Sequence, residues 1–507
     1  MKLHLIPAAT LLAFCGIFVS QGLLARELPP VVPVPAPVTI PMPTVRTLGN
    51  GLTVVALESE AIPAVTLTLA FRTGAEADPP SLPGTAEFVA SLLNEGTKTR
   101  SAQQIAAAVD GMGAVFDSAA DWDDSWASLS VLSDHAGLGF DLLSDMVINP
   151  AFAPAEIARL RRQTLSALAV LRRDPSYLAD TLLEREIFWG TPYSHPANGV
   201  EGSVRRLTRQ ELEHFHDLYY QPANAILVVA GNIDARRALD LAQRYFGGWK
   251  DGGGLPAAPA LPVNAPQSRR VVVIDDPDAV QTEIRVANSA VRRASPEYDA
   301  LALANQVLGG PAEDRLFSVL RTRRGLVYGA SSSLVCYRTA GAWEIKTSTR
   351  TAETRETLDL ILGQMKRLDS QPIRPEELSN AQNYLIGKMA LDFETSSQIA
   401  EHVLDLIIYN LPLDTWNEKA QKVRSLTRDS VWKATREHLD PASALIVLVG
   451  NAAEFHRELK GLGPVQSVPM ADVDLASSTL ERPARTTGPA AGGKARPRSH
   501  SKHHAVI

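Results

Sequence analysis

Two hydrophobic rhythms take turns along this chain. Residues 52–57 and 65–71 alternate with a period of two and predict two strands joined by a turn at Pro63; residues 125–133 alternate again. Residues 84–93 and 101–111 predict helices, with Ser101 placed as the N-cap of the second. Residues 154–173 form a long helix closed by Asp174-Pro175, 209–219 a further helix, and 225–229 an apolar run of strand length. Beyond these, 270–274 and 282–287 predict strands, and 296–308 and 352–368 helices. This mixture of strands and helices is an α+β plan, and it occurs twice.

The duplication is explicit between residues 203–232 and 422–451. Val204/Val423, Arg205/Arg424, Leu207/Leu426, Thr208/Thr427 and Arg209/Arg428 match, as do Pro222/Pro441, Ala223/Ala442, Ala225/Ala444, Val228/Val447, Gly231/Gly450 and Asn232/Asn451. Each pair is 219 residues apart with no gap. A constant offset over that length marks two copies of one unit.

Composition adds limits. At 507 residues the chain exceeds what one core supports and suggests two domains of about 200 residues each. Hydrophobic and charged contents of 45% and 21% are those of a globular protein, and a net charge of −6 gives no footing for nucleic acid. The two cysteines, Cys15 and Cys336, make no disulfide framework. Lys2 followed by the apolar run 5–19 and small residues to Ala25 reads as a secretory signal peptide over 1–25, with an uncleaved membrane anchor as the alternative; either places the protein in the periplasm or outside the cell. Phe14 before Cys15 argues against a lipoprotein site. Seven prolines between 29 and 43 make 26–44 an extended spacer. A linker at 252–268 separates folded domains at 45–251 and 269–465, and 466–507 is expected to be a disordered tail whose His500, His503 and His504 are solvated.

The blocks NGLTVVALES, GTAEFVASLLNEGTKTRS, TPYSHPANG, YYQPANAILVVAGNID and GGPAEDRLFSVLRTRRGLVYGASSS, in that order, resemble the M16 family of zinc peptidases, in particular its short M16B members and the mitochondrial processing peptidase subunits. The resemblance covers about 45–462. It implies two homologous domains of the M16 (LuxS/MPP-like) type, each a mostly antiparallel sheet packed with helices.

The family's catalytic helix carries H-x-x-E-H before a turn that is present here as Gly96-Thr97-Lys98-Thr99-Arg100-Ser101. The five motif positions read Glu87, Phe88, Val89, Ala90 and Ser91, so both histidine ligands and the general base are gone, and Ala167 stands where the resemblance puts the third ligand. Catalytic zinc requires three protein ligands, so no metal is expected in this chain. The folded part's other histidines (135, 195, 214, 216, 402, 438 and 456) make no helical H-x-x-x-H pair; His214 and His216, two apart, should fall on different helix faces. The acidic group Asp117, Asp121, Asp123 and Asp124 lacks a calcium-loop pattern and reads as a solvated strand edge.

The second half keeps the family's Arg and Tyr seven apart, as Arg321 and Tyr328 in RLFSVLRTRRGLVYG, with Gly325 ending the helix before a strand at 326–333. The resemblance assigns the Tyr hydroxyl to the developing oxyanion and the Arg to the substrate main chain. Taken alone, the two would be a surface arginine and a core tyrosine. The expectation is a non-catalytic subunit that supplies Arg321 and Tyr328 to a zinc-bearing, HxxEH-bearing partner in a heterodimer acting on peptides or unfolded segments. The peptide would add as a strand along 113–121, touching Gly113, Ala114 and Asp117. The alternative is a catalytically inert peptide-binding or structural protein of the same fold.

Overall fold

The computed structural model describes residues 40–481 except 61, 251, 257–267, 312, 313, 476 and 478. The expected signal peptide, most of the spacer and linker, and the end of the tail lie outside these residues. The first half runs β1 (Thr44–Thr47), β2 (Thr53–Glu58), β3 (Ala64–Phe71), α1 (Thr85–Ser91), α2 (Ala102–Gly111), β4 (Val115–Ala120) and β5 (Ser125–Leu132). It continues through α3 (Ala136–Ile148), α4 (Pro154–Leu171), α5 (Pro175–Ile187), α6 (Glu201–Arg206), α7 (Arg209–Tyr219), β6 (Ala225–Gly231) and α8 (Ala235–Phe246).

The second half repeats the plan with β7 (Arg270–Asp275), β8 (Gln281–Ala290), α9 (Tyr298–Gly309), β9 (Val327–Cys336), β10 (Gly341–Arg350), α10 (Thr354–Ser370) and α11 (Pro375–Asp392). After these come α12 (Ser396–Ile408), α13 (Thr415–Ser425), α14 (Arg428–His438), β11 (Leu445–Gly450), α15 (Ala452–Phe455) and β12 (Val465–Pro469).

Two six-stranded mixed sheets result, ordered β1-β2-β6-β3-β5-β4 and β12-β7-β11-β8-β10-β9. Five of six positions correspond, and the sixth shows how the repeats differ. The first sheet ends on β1, antiparallel to β2; the second ends on β12, parallel to β7. The chain from 466 is therefore not the start of a disordered tail. Val468, Val473 and Leu480 are buried because this segment supplies the strand that the second repeat lacks at its own beginning. Nor are β2 and β3 a hairpin about Pro63: β6 lies between them, parallel to β2 and antiparallel to β3. All seven residues of β6 are buried, so it needs a neighbour on each side as well as cover on both faces.

Each sheet lays one face on its own helices, and those helices carry the two large cores. The other faces are covered by exchange. From α5, Leu178, Leu182 and Leu183 pack on Val272, Ile274, Val447 and Val449 of the second sheet. From α12, Val403, Leu404 and Ile408 pack on Val55, Ile226 and Val228 of the first. The long helix closes before Asp174-Pro175 as its sequence implies, but α5, which the pattern does not announce, starts at once, with Asp174 as its N-cap accepting from the amides of Ser176 and Tyr177. Among the described residues no helix is long and apolar enough to cross a membrane.

Candidate functional site

Three parts carry the residues expected at a site: α1, where the resemblance puts the zinc helix, and the two edge strands β4 and β9. The start of α1 is rigidly set. Asp78 accepts hydrogen bonds from the amides of Gly84 (2.6 Å) and Ala86 (2.8 Å), and burial pushes its carboxyl up to about 8. Gly84 has φ +94°, and a Cβ there would stand 2.8 Å from the Gly199 Cα, so both the turn and the loop against it require glycine.

Glu87 and Ser91, one helical turn apart, face β4 as their spacing requires. The Ser91 hydroxyl donates to Glu87 Oε1 (2.8 Å) and the Ala120 amide to Glu87 Oε2 (2.9 Å). Burial raises the Glu87 pKa against these two hydrogen bonds. Next to them the Ser118 hydroxyl donates to the carbonyl of Ala90, whose own side chain is buried. Ala167, on α4, is exposed. These four residues do not fit zinc: they hold one carboxylate, and each of its oxygens already accepts a hydrogen bond. Elsewhere, Glu297, Glu437 and His438 place their donor atoms within 4.8 Å of one another. His438 Nε2 is bonded to Glu297 Oε2 at 3.0 Å, so two of the three donors are engaged together. Sequence spacing could not find this group, because Glu297 lies 141 residues from His438.

As an edge strand, β4 offers less than its position promises. The Ser118 amide donates to Asp117 Oδ1 and the Ala120 amide to Glu87. Amides two apart in a strand point the same way, so two successive outward donors of β4 are already satisfied by carboxylates. Such blunting protects an edge from strangers, and just before the strand the amides of Gly113 (φ +59°) and Ala114 are taken as well, by the carbonyls of Asp110 and Val109. Asp117 acts as a cap on its own strand.

The acidic turn beyond β4 corrects another expectation. Asp123 is buried, not solvated: it accepts from the Tyr193 hydroxyl (2.7 Å) and from the Arg338 amide of the second half (2.7 Å). Burial raises its pKa despite those partners. Asp124 is pushed up to about 7, first by burial and then by Asp121 and Asp123. The histidines separate as their spacing implies, His214 exposed and His216 buried with Nε2 2.8 Å from the Val147 carbonyl.

Arg321 and Tyr328 stand together in the second half. A π-helical turn, Phe317–Arg323, ends at Gly325 (φ +64°), and the chain enters β9 at Val327. Buried Leu320, Leu326 and Val327 anchor this corner, and the Leu326 amide bonds back to the Leu320 carbonyl. That leaves the Tyr328 ring 88% exposed, with the Arg321 guanidinium 5.5 Å from its centroid and bonded to the Val327 carbonyl at 3.2 Å. An exposed tyrosine on an edge strand serves no packing purpose; its hydroxyl is free to donate. The arrangement can present a cation and a hydroxyl to an extended chain lying along β9.

Family models cover two successive stretches of the chain. Residues 53–199 match the model of the insulinase (peptidase family M16) domain, and 206–385 that of the peptidase M16 inactive domain. The chain is 28% identical over 356 residues to an uncharacterised zinc protease of Mycobacterium tuberculosis, covering 70% of this chain and 81% of the relative. It is 26% identical over 351 residues to one of Mycobacterium leprae, covering 69% and 79%. A crystal structure described as the peptidase M16 inactive domain from Pseudomonas fluorescens superposes with a TM-score of 0.76 at 27% identity, covering 80% of this chain and 98% of that one. A protease from Helicobacter pylori, at 18% identity and TM-score 0.72, shares the fold.

Proposed function

Because this chain belongs to the M16 peptidase family, we propose that it is the non-catalytic subunit of a heterodimeric zinc peptidase and acts on peptides only together with an HxxEH-bearing partner. The observation that carries the reading is the contrast between its two halves. The helix that should hold zinc has its remaining carboxylate committed to Ser91 and Ala120, whereas Arg321 and Tyr328 are held exposed at the start of an edge strand. In this reading the chain has no resident metal, and zinc belongs to the partner. Arg321 positions the main chain of an extended substrate, and the Tyr328 hydroxyl donates to the oxygen that gains charge as the peptide carbonyl is attacked. The Arg321 bond to the Val327 carbonyl supports the alternative, an inert scaffold in which the pair only braces the corner.

Activity of the mixed enzyme separates the two. Arg321→Ala and Tyr328→Phe should each lower kcat by about 10²–10³ while size-exclusion chromatography still shows the heterodimer. Full turnover by both variants would leave the pair structural.

A further inference from the structure

A cavity of about 1090 Å³ opens between 72–83, the loop 189–206 and Arg338 of the second half. Neither Glu87 nor the Arg321–Tyr328 corner lines it. Its wall is largely apolar, built from residues such as Trp189, Pro192, Pro196, Val200 and Leu255. A cavity of that size and character, with a few charged groups, is what small-molecule sites commonly present.

The charged groups do not balance. Four arginines line the cavity, Arg72, Arg185, Arg206 and Arg338, against two carboxylates, Glu76 and Asp78. Arg338 pairs with Glu76 at 3.2 Å, and Arg185 with Glu186. Asp78 is held by the Gly84 and Ala86 amides. The half-buried Arg72 guanidinium has no acid and no hydrogen-bond partner among the described residues. Burial and the like charge of Arg338 both lower its pKa. A partly desolvated guanidinium beside another cation is an unfavourable arrangement that an anion would relieve. Arg206 donates to the Ser81 carbonyl and also has no acid partner.

The remaining polar groups decide what the anion is attached to. The hydroxyls of Thr191, Ser194 and Ser203 already donate to the carbonyls of Phe188, Thr191 and Pro83. The Asn224 amide donates to Tyr219 and Thr73. The donors that remain, the Ser81 and Tyr219 hydroxyls, the Trp189 indole N–H and the Asn410 amide, are too scattered to match each carbonyl of a bound peptide, whereas a hydrocarbon asks for nothing. We propose that this cavity binds a small carboxylate with an apolar body, a medium-chain fatty acid, its carboxylate on Arg72 and its chain along the wall formed by Trp189, Val200 and Leu255. Arginine forms two parallel hydrogen bonds to a carboxylate, which suits a single anionic head. The proposal is independent of the peptidase reading.

The test is calorimetric titration of the full chain with dodecanoate, dodecyltrimethylammonium and N-acetyl-trileucine. Dodecanoate should bind at least about tenfold more tightly than the ammonium compound, which a single charge-assisted contact accounts for. Arg72→Gln breaks no hydrogen bond or ion pair among the described residues and should abolish that preference. Gly202→Phe should weaken dodecanoate binding by filling the cavity, since a Cβ there meets only the Arg206 Nη1, at 3.7 Å. Absence of dodecanoate binding, an unchanged preference in Arg72→Gln, or tighter binding of the peptide would each overturn the assignment.

Discussion

Glu87, where the resemblance puts a zinc ligand, acts as a strut. One oxygen holds Ser91 on its own helix and the other holds the Ala120 amide of β4. These two bonds tie α1 to itself and to the neighbouring strand. The start of α1 depends on Gly84 in a different way. Gly84→Ala adds a Cβ 2.8 Å from Gly199 and forces an L residue into φ +94°. The expected loss is at least about 2 kcal/mol, read as a drop in the denaturant midpoint. Gly202→Ala, whose Cβ would meet only the Arg206 Nη1 at ordinary contact distance, should cost far less; a wild-type midpoint for Gly84→Ala would show that the turn yields.

At the scale of elements, the exchange of α5 and α12 binds the repeats together. Each helix belongs by chain to one half and by packing to the other. Polar bonds reinforce the first of them: buried Arg285 of β8 donates to Asp180 (2.6 Å) and to the Ser176 hydroxyl (2.7 Å), both on α5. The halves should therefore unfold as one unit despite their separate cores. Leu182→Ala, at a fully buried position of α5, is expected to cost about 2–5 kcal/mol and to lower a single calorimetric transition. Two resolved transitions, with only the second half's peak displaced, would show that the exchange does not couple them.

For the whole molecule, several buried acids act in the same direction. Burial is the first cause in pushing Glu76, Asp124 and Glu184 up to about 7 and Asp78 up to about 8. Each binds its proton more tightly in the folded chain than in the unfolded one. The stability this contributes is complete below the ordinary carboxylate range and is lost as pH rises through about 7–8. The thermal midpoint should accordingly be higher at pH 5.5 than at pH 8.5. Asp124→Asn should raise the midpoint at pH 8.5 and leave it nearly unchanged at pH 4, since Asp124 gains its high pKa from burial and from Asp121 and Asp123. A midpoint independent of pH between 5.5 and 8.5 would contradict this.

Local patterns in the sequence carried the duplication, the start of α2 at Ser101 and the run of α7. Each depends on residues close in sequence, where periodicity and capping act, or on a fixed offset. The placing of Arg321 beside Tyr328 was legible for the same reason, since seven residues through one helix end set it. What the tertiary structure decided was pairing over long separations. Nothing local announces that β6 separates β2 from β3, that residues 465–469 complete the second sheet, or that Asp123 is buried against Arg338, 215 residues away. An apolar strand is compatible with many neighbours, and a carboxylate reads as solvated until a distant donor covers it. Those choices are made by the packing of the whole chain, because only there do the buried faces and their hydrogen-bond partners come together.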